Sequence, residues 1–200
     1  VGALQVSFSN DLRLRERLVD GARRLGDTSA SDGKPGLETW VYQLFRADFD
    51  LRLSTEIREL SLQSAVASVF GISADGLTLE TMLQVSPVNR PLLALDLAIS
   101  ADWELLRVTQ QDQPVIWRLA AAEAGRQHVH IELPSPIPPG QSAEFRLSFR
   151  QSPDDWPPEP GSPAVVALPV LTVARTDLME TALSVRSDAE FQLLPENLSG

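Results

Sequence analysis

The chain has 200 residues, with 17 basic and 27 acidic side chains, a formal charge of −10 at pH 7, and no cysteine. Hydrophobic residues make up 43% and charged ones 22%, proportions of a folded globular protein rather than of a disordered tail. The lack of cysteine excludes a disulfide framework, a thiolate zinc site, an iron–sulfur cluster and a cysteine nucleophile, and the acidic balance argues against nucleic acid or an anionic lipid surface as partner.

From the start of the chain, Leu4, Val6 and Phe8 share one parity, as the buried face of a strand does. Leu14, Leu18 and Leu25 fit a loose helical period, so a short helix over Leu14–Leu25 competes with a continuation of the two-residue pattern through Leu12 and Leu14. Gly26–Gly36 is polar and glycine-rich, and its composition predicts a flexible loop. Beyond it, alternation dominates. Phe49, Leu51 and Leu53 alternate with Asp50, Arg52 and Ser54, and Leu77, Leu79, Leu83 and Val85 follow the same rule. So do Leu93, Leu95, Leu97 and Ile99, then Val129, Ile131 and Leu133, then Phe145, Leu147 and Phe149. Segments that bury one face and wet the other belong to antiparallel sheets.

Turn chemistry separates these runs at Asp75-Gly76, Gln111–Pro114, Pro139-Gly140 and Ser187-Asp188. Ser152–Pro163 contains five prolines together with Trp156, and predicts an extended connection that stays out of a sheet interior. The apolar run Ala164–Ala174 is broken by Pro169 and Thr172 and is too short to span a bilayer, so no membrane insertion is expected of this segment. The first residue is Val1 rather than Met, and the expectation is a piece of a longer polypeptide.

These observations predict an all-β fold, a large or double antiparallel β-sandwich of about a dozen strands with little helix. A single domain over 1–200 is the main expectation and a division at 152–163 the alternative. The expected core comprises Leu51, Leu53, Leu79, Leu83, Leu95, Leu97, Val129, Ile131, Phe145 and Leu147.

Two clusters could carry chemistry. His128, His130 and Glu132 form His-x-His-x-Glu, and on a strand all three project from one face, where two imidazoles can converge on a metal ion. The plainer account makes them the wet face of a strand whose dry face is Val129, Ile131 and Leu133, and no resident cofactor is expected. Asp154, Asp155 and Trp156 lie together in the proline-rich connection; acidic oxygens bind calcium, and an exposed tryptophan at Trp156 or Trp103 can stack on a sugar. The plainer account is a solvated connector whose Trp156 covers a sandwich edge. Gly-x-Ser-x-Gly, His-Glu-x-x-His and the glycine-rich phosphate motifs are absent. Lys34, the only lysine, falls in the polar loop, a poor place for the desolvation a catalytic amine needs.

The segment from Ile131 to Phe149 (Ile-Glu-Leu-Pro-Ser-Pro-Ile-Pro-Pro-Gly-Gln-Ser-Ala-Glu-Phe-Arg-Leu-Ser-Phe) has a strand–turn–strand pattern. It resembles a phrase in the N-terminal β-domains of large zinc aminopeptidases and in β-sandwich modules of bacterial envelope proteins. Leu168–Val173 followed by Thr181–Val185 resembles the closing strands of such envelope modules. The peptidases' zinc motif is absent, so the resemblance carries over no catalytic residue. It implies an accessory β-domain of a larger bacterial protein in the cell envelope or otherwise outside the cytoplasm, and the lack of any catalytic signature makes a non-enzymatic module the expectation. The expected partners are other domains of the parent chain or a separate protein. A carbohydrate-binding sandwich that takes a glycan is the first alternative, and a metal-dependent enzyme domain using His128, His130 and Glu132 the second.

Overall fold

A computed structural model describes residues 2–29, 37–120, 122–159 and 162–192. All regular structure among them is β, and they form two compact units, Val1–Ser61 with Val88–Pro91 and Leu62–Pro87 with Leu92–Gly200. The chain passes from the first unit to the second after Ser61 and returns to the first for Val88–Pro91, and the described part of the proline-rich connection belongs to the second unit.

The first unit holds β1 (Gly2–Ser9), β2 (Leu12–Asp20), β3 (Ala22–Ser29), β4 (Leu37–Leu44) and β5 (Asp50–Ile57). β4 lies between β1 and β3 in an antiparallel sheet, and β2 pairs antiparallel with β5. The helix weighed over Leu14–Leu25 is replaced by β2 and β3. Leu18 and Leu25 of the apparent helical stripe are exposed, so no second surface existed to bury it. Gly21, at φ +69°, breaks the segment, and a Cβ there would approach the Phe49 backbone to 3.1 Å. Of the predicted loop Gly26–Gly36, Gly26–Ser29 belong to β3; residues 30–36, Lys34 among them, lie outside the described residues. Phe8, Leu14, Trp40 and Tyr42 are the buried centre of this unit, with Phe8 edge-on to Trp40 and the Arg24 guanidinium 3.8 Å from the Trp40 ring centroid. Leu51 and Leu53 pack against this cluster, half-buried.

The second unit holds β6 (Leu62–Ser73), β7 (Gly76–Pro87), β8 (Leu92–Ser100), β9 (Glu104–Gln110), β10 (Gln113–Pro114), β11 (Trp117–Leu119), β12 (Arg126–Ile137), β13 (Ala143–Gln151), β14 (Thr172–Val173) and β15 (Thr176–Ser187). They form a six-stranded sheet in the order β10-β9-β13-β7-β6-β15 and a four-stranded sheet in the order β11-β12-β8-β14. Leu79, Leu83, Phe145 and Leu147 from the first sheet and Leu95, Leu97, Val129 and Ile131 from the second are essentially sealed from solvent. The expected core is thus divided between units, with Leu51 and Leu53 in the first and the other eight in the second.

The strands depart from simple antiparallel alternation in three places. The Ile131–Phe149 phrase is not a hairpin: β12 pairs with β8, whereas β13 pairs with β7 and β9 in the other sheet. The link through Pro138–Gln141 therefore carries the chain from one sheet to the other. Leu93 leaves the parity of Leu95, Leu97 and Ile99 and is 66% exposed. The β12–β8 register slips between Glu132 and Ile137, where Pro134 and Pro136 lack the N–H groups that a continuous ladder needs. Finally, β15 runs parallel to β6, unlike the other strand pairs, which are antiparallel.

The β6–β7 turn depends on Gly76. Its φ is +132°, and a Cβ there would lie 2.9 Å from the Gln151 carbonyl oxygen. Gly76→Ala is expected to cost about 1–3 kcal/mol, seen as a lower urea midpoint with an unchanged slope.

Candidate functional site

β12 presents His128, His130 and Glu132 on the solvent face of the four-stranded sheet, where the strand spreads them along its length. His130 lies opposite Asp96 of β8, and the two make a 2.6 Å contact through Nδ1 and Oδ1. Glu132 pairs with Arg118 of β11 at 2.9 Å, while His128 lies opposite Ala98. Arg126 donates to the Thr172 hydroxyl at 3.3 Å. His130 and Glu132 therefore each satisfy a different neighbour, and among the described residues no three His, Asp or Glu side chains are placed to hold a metal ion.

The proline-rich connection contains no strand over its described residues. Trp156 is half-buried, its indole N–H donates to the Ser73 carbonyl at 2.8 Å, and its ring stacks on Phe191 with centroids 5.6 Å apart. That stack occupies one face of the ring a sugar would need. Asp154 and Asp155 are exposed beside it. Trp103 is 2% exposed and edge-on to Phe70, so it offers no ring face to a ligand. The remaining tryptophans pack in place, Trp40 in the first unit's core and Trp117 half-buried on β11.

The concave surface lies elsewhere, on the outer face of the six-stranded sheet. β6 is apolar on both faces: Leu62, Val66 and Phe70 point to the core, while Ala65, Ala67 and Val69 point outward. β7 puts Met82 opposite Ala67, and β15 puts Ala182 beside Ala67 on the other side. Short side chains along β6 leave a shallow trough between β7 and β15. One depression of about 440 Å³ is lined by Val69, Met82, Ala182 and Arg146, and a neighbouring one of about 290 Å³ by Ala65, Gln84, Glu144 and Glu180. Its rim is mainly acidic, with Glu80, Glu144 and Glu180. Glu80 accepts a 2.7 Å hydrogen bond from Ser148, and Arg146 bonds to Asp112 at 3.0 Å and Glu144 at 3.3 Å. Period-two reasoning passed over this face because it looks for strands with one apolar face. The signal was available in Gln63–Ser73, where neither parity is polar enough to be an ordinary wet face.

No family model matches the chain, and no curated protein matches it significantly. Among solved structures, it is similar to an M1 zinc metallopeptidase from Deinococcus radiodurans, with 24% identity, a TM-score of 0.40, and coverage of 55% of this chain and 25% of that one. It is also similar to a non-cellulosomal cohesin from the hyperthermophilic archaeon Archaeoglobus fulgidus, with 11% identity, a TM-score of 0.34, and coverage of 64% of this chain and 94% of that one. The seventh ScaB type I cohesin from Pseudobacteroides cellulosolvens matches at 12% identity and a TM-score of 0.31, covering 66% and 97%. The chain spans about a quarter of the peptidase chains it matches. The zinc-peptidase likeness noted from the sequence thus recurs among the structural matches, beside cohesin modules, and the chain itself is an all-β protein of the sandwich class.

Proposed function

We propose that this chain is a non-catalytic β-sandwich module of a larger bacterial protein outside the cytoplasm, and that it docks another domain of that protein on the outer face of its six-stranded sheet. The observation that carries this reading is the trough along β6, where Ala65, Ala67, Val69 and Met82 occupy solvent-facing positions that a free sheet surface fills with polar side chains. Methionine is enriched at the centre of protein interfaces, and a small-residue trough admits side chains from an opposing surface. The rim carboxylates Glu80 and Glu144 select a partner face whose apolar centre is bordered by basic residues. Placement outside the cytoplasm is supported by the envelope-module resemblance of Thr181–Val185, which lies within β15. No helix among the described residues is long and apolar enough to cross a membrane.

Methionine oxidation tests the docking face directly. Met82 is 46% exposed, and peroxide converts such a side chain to the sulfoxide. In the 200-residue chain Met82 is expected to oxidise readily, whereas in the full-length parent protein it is expected to be protected several-fold, as read by peptide mass spectrometry. Equal rates in the two proteins would overturn the docking surface, and hydrolytic turnover on a broad substrate panel would overturn the non-catalytic assignment.

A further inference from the structure

We infer that β15 is the seam of a symmetric dimer, pairing antiparallel with β15 of a second copy about a two-fold axis at Leu183, so that Glu180 of each chain faces Arg186 of the other. The inference rests on the free edge of β15 and is independent of the docking reading for the trough.

β15 is twelve residues long and bonded to β6 on one side, and among the described residues no strand covers its other side. All its residues from Asp177 to Ser187 are exposed, including Leu178, Met179, Leu183 and Val185. Long edge strands are normally blunted by lysine, proline or a bulge. From Leu178 to Ser187 this strand has no lysine or proline, and its register against β6 is unbroken. It is therefore a template for another strand.

The direction of its free backbone groups can be read from one bond. The Asp188 N–H donates to the Ile72 carbonyl at 3.0 Å, so the amide of residue 188 points toward β6. Alternate residues of a strand direct their N–H and C=O to opposite sides. Arg186, Ser184, Ala182 and Glu180 thus face β6, while Val185, Leu183, Thr181 and Met179 offer their backbone groups to the free edge. Odd-numbered residues must then meet odd-numbered residues in an antiparallel partner, which limits the available registers.

Charge selects among those that remain. With the axis at Leu183, Glu180 lies opposite the second copy's Arg186, and the symmetry makes this pair twice; Thr181 lies opposite Val185, and Leu183 meets itself. Moving the axis to Ala182 sets Glu180 against Ser184 and Arg186 against Leu178. Moving it to Ser184 sets Glu180 against Asp188, a like-charge contact. Neither Glu180 nor Arg186 makes an ion pair among the described residues, so both are available to the partner. A two-fold axis normal to the sheet keeps each face on its own side, so the two six-stranded sheets join into one continuous sheet. The charge of −10 on each copy opposes association at low ionic strength, and about 0.15 M salt screens it beyond roughly 8 Å.

Sedimentation equilibrium of the purified chain in about 0.15 M salt tests this without any other domain present. The expected mass at high concentration is twice 21.9 kDa. Glu180→Arg and Arg186→Glu are each expected to weaken dimerisation by roughly tenfold or more, because each turns two opposite-charge pairs into like-charge pairs. The double variant Glu180→Arg/Arg186→Glu is expected to regain the original affinity, since the exchanged charges again face one another. Thermal melts of all four proteins are expected to agree for the dissociated chains, as both sites are exposed. A wild-type chain that stays monomeric at every concentration overturns the inference. So does a dimer indifferent to the single reversals, or one that the double variant does not restore.

Discussion

Phe145→Ala is expected to lower the unfolding free energy of the second unit by about 3–5 kcal/mol, measured by urea denaturation with an unchanged slope. Phe145 is 0% exposed on β13, an interior strand bonded on both sides, with Leu83 of β7 and Gln110 of β9 directly opposite it. Removing its ring takes away buried apolar surface and leaves a cavity that its neighbours cannot fill, because strands paired on both sides cannot move inward independently. Domains of this size are stable by only about 5–15 kcal/mol, so the loss is a large share of the total. Leu51→Ala, at a half-buried position of the first unit, is expected to cost less than half as much. A cost below about 1 kcal/mol for Phe145→Ala would show that this part of the core does not form as described.

Tyr42→Ala is expected to have the second largest effect, about 3–5 kcal/mol, on the first unit. Tyr42 is 0% exposed on β4, the central strand of its sheet, and it is the most deeply buried of the four buried side chains in that cluster. A core this small has little redundancy. The phenol also donates a 2.8 Å hydrogen bond to the partly exposed Glu16 carboxylate. Tyr42→Phe keeps the ring and removes that bond, so it is expected to cost about 1–2 kcal/mol. Hydrogen exchange along β1, β4 and β3 separates the two components: fast exchange throughout for Tyr42→Ala, and near-native protection for Tyr42→Phe. Equal effects of the two variants would mean that the hydrogen bond, rather than the ring, holds this cluster.

The two-residue alternation made the fold class legible, because a pleated strand that buries one face imposes it residue by residue. Leu79, Leu83, Leu95, Leu97, Val129, Ile131, Phe145 and Leu147 share the second unit's core for that reason. Alternation says which way a side chain points and nothing about which sheet lies opposite, so Leu51 and Leu53 could not be assigned to a separate unit from pattern alone. The same limit made Ile131–Phe149 look like a hairpin when it joins two sheets. The trough was hidden because Ala65, Ala67 and Val69 are too small and too apolar to register as a wet face, and they sit between core residues of opposite parity. The histidines drew attention by residue type, yet strand geometry spreads them along β12 and gives His130 a local partner in Asp96. Residue type alone could not say what Trp156 touches: the ring is half-buried, hydrogen-bonded to the Ser73 carbonyl and stacked on Phe191.

The parallel pairing of β15 with β6 bears on how the chain is made. β6 and β7 form a tight hairpin that can close as soon as both have emerged from the ribosome, but the other side of β6 waits for residues more than a hundred positions later. At about 5–20 residues per second, synthesis leaves that side uncovered for roughly 6–23 s. Through that interval an apolar strand with both faces greasy and one edge unpaired is exposed to every other nascent chain nearby. The small side chains of Ala65 and Ala67 then have a second consequence, because they give a stray strand less to grip than leucine or isoleucine would.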